Sequence, residues 1–101
     1  MSSSYYKYYL PMNENEANER IKQLREMLKM SRDDFAQAAG LKSNQLANIE
    51  QNKQKAPAWY IEAIGKKWPT YALWLGTGMT IPEAGQISPE IEEIRQNLKK
   101  A

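Results

Sequence analysis

The chain has 101 residues, 42% of them apolar and 26% charged, and its 14 basic and 12 acidic side chains leave a formal net charge of +2, which suits one globular domain with a single core. It contains neither cysteine nor histidine, which excludes disulfides, thiolate chemistry, zinc sites built on those residues and His-dependent catalysis. No apolar run approaches the roughly 20 residues of a membrane-spanning helix, and the first residues lack the layout of a signal peptide, so we expect a soluble, cytoplasmic protein with no membrane partner.

The sequence opens with a tyrosine-rich segment at residues 1–12, in which four tyrosines surround Lys7 and Pro11 closes the run. Aromatic density of this kind favours an extended arm over a helix. The arm is compatible with pairing to a second copy, with pairing to residues 78–81 and with packing on its own domain. Its role therefore stays open.

A helical pattern follows the arm. Apolar residues step by four, three and four along one face, at Ala17, Ile21, Leu24 and Leu28. Asn13 or Asn15 can cap this first helix. A second helix begins at Ser31, because Ser31 and Asp34 have the spacing of a capping box, and Gly40 stops it.

The third helix is short, from about residue 43 to 51, and its apolar positions are Leu46 and Ile49. A lysine-containing loop at 52–57 leads to a fourth helix, which Pro57 opens. The inner stripe of the fourth helix is predicted at Ile61, Ile64, Gly65 and Trp68. The unusual aromatic residues are expected to enlarge the core or a dimer face; they are Trp59, Tyr60, Trp68 and Tyr71.

The last part of the chain has a short apolar segment at 71–75, stopped by Gly76 and Gly78, and then an irregular stretch. Ser88 caps a final helix and Pro89 takes its first position, with acidic residues near its start and basic residues near its end. A narrow apolar stripe on this helix consists of Ile91, Ile94 and Leu98. We therefore predict an all-α chain in three parts: the arm at 1–12, a helical domain at 13–78, and a C-terminal extension with a short helix at 79–101.

Four residues between positions 36 and 49 have the spacing of a helix-turn-helix. Two short helices that cross steeply need a small residue where they touch, which is Ala36, and a residue tolerant of positive φ in the turn, which is Gly40. The second of these helices buries Leu46 and Ile49, about one turn apart. A supporting helix before this unit and two after it strengthen the interpretation.

With these residues the chain resembles the phage-repressor/Cro-like (XRE) helix-turn-helix family over residues 20–78, including the segments 20–25, 49–53 and 74–78. The resemblance implies a five-helix, lambda-repressor-like DNA-binding domain of phage or bacterial type. The arm would precede this domain and an extra C-terminal helix would follow it. The resemblance also implies that Arg25 and Glu50 form the family's structural ion pair, which ties the first helix to the third.

In that family the N-terminal part of the third helix enters the major groove. The matching base-contacting positions are Ser43, Asn44, Gln45 and Asn48. Asn is a poor residue for a merely solvated helix face, whereas its amide can donate to and accept from the edge of adenine at once. Asn44 and Asn48 lie four residues apart on one face and form the best pair. The alternative, in which these side chains only cap and solvate the helix, stays open.

The resemblance also implies contacts to DNA phosphates on both sides of the third helix. The candidates are Arg32, Lys42, Asn52, Lys53 and Lys55. Arg32 replaces the Gln that is more usual at the start of the second helix, and the loop matches the phosphate-binding loop of the family. Lys42 replaces the usual Ser or Thr cap, so the third helix could instead start one residue later with Ser43 as its cap. That later start would change which amides face the groove.

One such domain contacts too little DNA for useful affinity, whereas two linked domains bind a matched double site tightly. We therefore predict a homodimer. Its candidate interface residues are Trp74, Leu75, Ile91, Ile94 and Leu98. The alternative for the stripe of the last helix is packing on its own domain.

The sequence thus predicts a sequence-specific, double-stranded DNA-binding transcriptional regulator, a repressor whose occupancy is set by its concentration or by a regulatory protein partner. No metal, cofactor or small-molecule ligand is expected. The alternative is an antitoxin-like or adaptor module that uses the same fold for protein contacts, which the aromatic second half favours. Enzymatic activity is not expected, because the cluster of Glu90, Glu92 and Glu93 has no accompanying nucleophile, metal set or phosphate loop.

Overall fold

The computed structural model describes residues 16–100. This range contains six α-helices: α1 (Glu16–Met27), α2 (Arg32–Ala38), α3 (Ser43–Glu50), α4 (Ala58–Lys67), α5 (Ala72–Thr77) and α6 (Pro89–Lys100). Short 3₁₀ helices span Pro69–Tyr71 and Pro82–Ala84, and the only β-type pairing within the described range is an isolated bridge between Ile81 and Gln86. The all-α prediction is confirmed for this part of the chain, while the predicted arm and the caps at Asn13 and Asn15 lie outside the described residues.

A single apolar core joins the first five helices and the start of the C-terminal extension. Its buried members are Ile21, Leu24, Phe35, Ala36, Leu46, Ile49, Tyr60, Ile64, Tyr71, Trp74, Leu75 and Ile87. Helix α1 packs against α3, α5 and α6, whereas α2 packs on α3 and α4 on α5. One side of α2 and one side of α3 therefore pack on the core, and the opposite sides of both helices face solvent.

The helix ends follow local chemistry. Ser31 caps α2, since its hydroxyl accepts a hydrogen bond from the Asp34 backbone N–H at 3.1 Å, as the capping-box spacing predicts. Ser88 does the same for α6 by accepting from the Ile91 N–H at 3.3 Å, with Pro89 as the first helical residue. These ends are decided within one turn of chain, which is why the sequence alone located them.

The C-terminal extension is fastened to the junction of α4 and α5. The Gln86 side chain accepts from the Leu73 N–H and donates to the Pro69 carbonyl, both at 3.0 Å. The Ile87 N–H donates to the Thr70 carbonyl at 3.0 Å, and the Ile87 side chain is buried in the core. Residues 86–89 thus form part of the packed body.

The aromatic residues of the second half divide between core and surface. Tyr60 and Tyr71 are buried, and Trp68 stacks on Phe35 with ring centroids 4.6 Å apart. Trp59 remains 55% exposed. The buried residues of α4 are Tyr60 and Ile64. Of the predicted inner stripe, Ile61 and Gly65 are only partly covered.

We expect Tyr60→Phe to leave the protein at least as stable as the wild type, and up to about 1–3 kcal/mol more stable. The Tyr60 hydroxyl is buried and finds no hydrogen-bond partner among the described residues, so its removal ends a desolvation penalty. Urea denaturation at neutral pH measures the effect. A clear loss of stability would contradict the expectation and show that the hydroxyl is satisfied in solution.

Tyr60→Phe should also reduce the loss of folding stability at high pH. Burial, together with the nearby Glu50 carboxylate, raises the pKa of Tyr60 to about 12, whereas an unfolded tyrosine titrates near pH 10. The stability that this pKa difference represents is complete below about pH 10 and is lost as the pH rises toward 12. Tyr60→Phe removes this loss.

Candidate nucleic-acid interface

Helices α2 and α3 form a compact unit around a tight turn. Gly40 adopts a left-handed conformation with φ of 72°, which a residue without Cβ reaches without strain. The Leu41 N–H then donates to the Ala36 carbonyl at 2.8 Å and closes the turn. Leu46 and Ile49 are buried on the inner side of α3, so the outer side of that helix faces solvent.

The outer side of α3 carries the amides that the sequence singles out. Asn44 and Asn48 are exposed one turn apart, and Gln45 is half-buried beside them. The Asn44 side-chain oxygen accepts from the Gln45 backbone N–H at 2.9 Å. These two amides lie on the solvent-facing side of α3, where a base edge could meet them.

Helix α3 begins at Ser43, with Lys42 in the N-cap position and no side-chain capping bond. The alternative start, with Ser43 as the cap, is therefore wrong. The Ser43 hydroxyl instead donates a hydrogen bond to the Asp33 carboxylate and ties α3 to α2. Ser43 thus holds the two helices together in the free protein, a role that its spacing from Asp33 in sequence does not reveal.

One buried carboxylate organises the base of this unit. Glu50 accepts from Arg25 Nε at 2.6 Å and from a terminal Arg25 nitrogen at 2.8 Å, in a two-pronged pair between α1 and α3. Another Arg25 nitrogen donates to the Met30 carbonyl at 3.0 Å. The Glu50 side chain is 0% exposed, so its charge depends on these partners.

A third residue joins the pair. The resemblance implies a phosphate contact for Arg32, but the structure directs its Nε to Glu50, at 3.0 Å, with 38% of the side chain still exposed. Arg32 is therefore a partner of Glu50 in the free protein, and its contact with a phosphate stays a prediction. The reason is that Arg32 opens α2 just above the end of α3, where the buried carboxylate still has room for a second donor.

Two positive charges against one negative charge set the electrostatics of this cluster. Burial alone would raise the pKa of Glu50, but the hydrogen bonds and charges of Arg25 and Arg32 outweigh it and hold that pKa below its ordinary value. The hydrogen bond to Glu50 raises the pKa of Arg25 in turn. The cluster therefore stays fully ionised near neutral pH and contributes a net positive charge beside α3.

The loop after α3 presents the basic residues. Asn52 has a left-handed φ of 60°, which Asn tolerates better than most residues, and it turns the chain away from the helix. The Lys53 N–H donates to the Asn48 carbonyl at 2.9 Å. Lys53 and Lys55 are exposed on this loop, and Lys42 is exposed at the opposite end of α3. Basic side chains thus flank the exposed amides on both sides.

Asn18 on α1 is a buried polar residue that sequence reasoning missed. Its oxygen accepts from the Ala56 N–H at 2.8 Å, and its nitrogen donates to the Gln54 carbonyl at 2.8 Å and to Asn52 Oδ1 at 3.3 Å. The available signal was its position three residues before Ile21, on the apolar side of α1. A polar residue there must find partners from elsewhere in the chain.

The predicted dimer residues have different surroundings. Trp74 and Leu75 are buried in the core, because α5 packs between α1 and α4; the prediction that they form an interface is wrong. Ile91 is half-buried against the same core. Ile94 and Leu98 are 52% and 71% exposed, so the outer part of the α6 stripe is the part left uncovered.

The described residues contain no group of acidic side chains arranged to hold a metal ion. Within the same range, no helix combines the length and the apolar character needed to cross a bilayer.

Comparison with protein families matches residues 18–67 to a helix-turn-helix domain. The matched range runs from Asn18 to the end of α4 and so includes the whole α2–α3 unit, the Glu50 cluster and the basic loop. A comparison with curated proteins found no match.

Proposed function

The match of residues 18–67 to a helix-turn-helix domain supports the resemblance to the XRE-type family, and we propose that the chain is a sequence-specific regulator of transcription that reads the major groove of double-stranded DNA with α3. The observation that carries the proposal is the exposed pair Asn44 and Asn48, held on a rigid helix and flanked by basic side chains. An enzymatic function is not proposed, because the exposed amides of α3 and the lysines at its two ends match a contact with DNA.

The division of labour follows from side-chain chemistry. The Asn44 and Asn48 amides each present a donor and an acceptor, which matches the two groups on the major-groove edge of adenine. Gln45 would read from a half-buried position, and Ser43 would have to release Asp33 before it could contact a base. Asn44 and Asn48 are therefore the principal readers in this proposal.

Phosphate contacts come from the two ends of α3. Lys42 lies before the helix, and Asn52, Lys53 and Lys55 follow it. Contacts to the backbone set affinity and register without reading sequence. The exposed part of the Arg32 side chain would add to them while its Nε stays on Glu50.

The proposed regulator acts as a homodimer and a repressor. A single domain of this size buries little DNA surface, and linking two of them raises affinity by orders of magnitude. The exposed outer stripe of α6, Ile94 and Leu98, is the surface that we assign to dimerisation. A dimer of this kind would occupy an operator in the cytoplasm and would need no ligand.

We expect Ile94→Glu to convert the dimer to a monomer, because a carboxylate at the centre of an apolar contact loses its hydration without gaining a partner. Light scattering across a concentration series measures the change. Gln96→Glu, which adds the same charge at another exposed position of α6, is the matched control and should stay dimeric. A dimeric Ile94→Glu variant would remove α6 from the interface.

The function itself is tested by selecting bound sites from random duplex DNA at about 150 mM salt. We expect an inverted repeat whose half-site centres lie about one helical turn apart, since a dimer presents two α3 helices to successive major grooves. Uniform, salt-sensitive binding with no enriched sequence would contradict sequence-specific reading.

A second candidate is an antitoxin-like or adaptor module that binds another protein through the same fold. The exposed Trp59 and the apolar groove that Ile61, Gly65 and Ala72 line between α4 and α5 favour it. This candidate predicts no enriched DNA site, and it places the interaction on α4 and α5. Substitutions at Asn44 and Asn48 would then leave partner binding unchanged.

A further inference from the structure

We infer that Asn18 is a positioning residue for DNA binding: its buried amide holds the basic loop at 52–56 in the geometry that sets Lys53 and Lys55 on the phosphate backbone. The inference rests on the proposed function, because it assigns a role in the same contact with DNA. Asn18 itself is buried on α1 and would touch no nucleotide.

The position of Asn18 requires an explanation of this kind. It occupies the inner side of α1, one turn before Ile21, where an apolar side chain would normally pack. A buried amide is costly unless it is hydrogen-bonded. Both polar atoms of Asn18 have partners, and all of those partners lie in the loop, 34 to 38 residues further along the chain.

The hydrogen bonds divide the loop between two supports. The first residues follow α3, since the Asn52 N–H donates to the Ile49 carbonyl at 3.0 Å and the Lys53 N–H to the Asn48 carbonyl at 2.9 Å. The last residues follow α1, because the Gln54 carbonyl and the Ala56 N–H both bind Asn18. Lys53 is the last loop residue bound to α3, and Gln54, the next residue, is bound to α1.

This arrangement fixes the distance between the loop lysines and the reading helix. The left-handed Asn52 turns the chain, and its own side-chain oxygen accepts from Asn18. A loop that is already ordered loses less conformational entropy when its lysines bind phosphates. Without Asn18 the lysines would keep their charge, but the loop would no longer hold them at the phosphates, so fewer phosphates would be neutralised.

The test is Asn18→Ala in the full chain, measured on the selected DNA site over a range of salt concentrations. For each phosphate that the variant no longer neutralises, the slope of log K against log salt should become shallower by about 0.9, which corresponds to roughly fivefold weaker binding near 150 mM salt. The preferred DNA sequence should not change, because the backbone of α3 does not depend on Asn18. The Ala56 amide hydrogen should also exchange faster in the variant.

Two further variants separate positioning from folding. Asn18→Leu removes the same hydrogen bonds while keeping the side-chain volume, so it should behave like Asn18→Ala even if the smaller residue destabilises α1. Ile87→Ala lowers stability through a buried residue that makes no hydrogen bond with the loop and should leave the salt slope unchanged. Adding Lys53→Ala to either Asn18 variant should weaken binding less than Lys53→Ala does in the wild type.

The inference is overturned if the Asn18 variants melt at lower temperature but keep the wild-type salt slope and affinity, since Asn18 would then act in stability alone. Full additivity with Lys53→Ala would overturn it as well. If the wild type itself selects no DNA site, the proposed function fails and this inference fails with it. A wild type that selects a site beside Asn18 variants with unchanged slopes refutes the inference and leaves the function standing.

Discussion

Replacing Glu50 with alanine should lower the free energy of unfolding by about 3–5 kcal/mol, because it leaves Arg25 and Arg32 without the buried carboxylate that they share. Arg25 makes a two-pronged pair with Glu50, at 2.6 and 2.8 Å, and its side chain is only 15% exposed. The loss also separates α1 from α3 at the point where their ends meet. Urea denaturation at neutral pH measures the change.

The control is Glu62→Ala, which removes an exposed glutamate from α4 and should alter stability by no more than about 0.5 kcal/mol. Glu50→Gln keeps the shape and part of the hydrogen bonding, so it should lie between the wild type and Glu50→Ala. An unchanged denaturation curve for Glu50→Ala would show that the ion pair contributes nothing to the folded state.

The loss of folding stability in acid should also depend on Glu50. The pKa of Glu50 is lower in the folded protein than its ordinary value, and an unfolded glutamate titrates near about pH 4.3. The unfolded chain therefore binds the proton first, and the contribution of Glu50 is complete above that pH and is lost as the pH falls through the folded pKa. Glu50→Gln should show a smaller decline in acid than the wild type.

Asn44→Ala and Asn48→Ala should each weaken binding to the selected site by about 1–3 kcal/mol and relax the preference at one base pair. The expectation follows from the exposure of both amides on the outer side of α3. Binding to unrelated duplex should not change, because phosphate contacts supply non-specific affinity. Repeating the site selection with each variant identifies which base pair each amide reads.

Lys53→Ala is the contrasting variant. It should weaken binding to all sequences alike and reduce the salt slope by about 0.9, whereas the two asparagine variants keep the wild-type slope. Gln96→Ala, on the exposed side of α6, should change neither quantity. If both asparagine variants select the wild-type sequence with undiminished preference, α3 is not the reading helix.

Local features of the sequence were sufficient for much of the fold. The apolar steps of Ile21 and Leu24, the caps at Ser31 and Ser88 and the turn at Gly40 all depend on residues within one or two helical turns. They are therefore visible in the sequence, and so is the helix-turn-helix unit built from Ala36, Gly40, Leu46 and Ile49. The same holds for the exposure of Asn44 and Asn48, since burial of Leu46 and Ile49 leaves those positions on the opposite side.

Only the tertiary structure decided which distant side chains meet. Arg32 reaches Glu50 across 18 residues and Asn18 reaches Ala56 across 38, and neither contact follows from a periodic pattern. The burial of Trp74 and Leu75 likewise depends on α5 lying between α1 and α4, so an apolar segment that suggests an interface proves to be core. Helix periodicity says which side of each helix is apolar, but the partner that covers that side is set by how the helices pack.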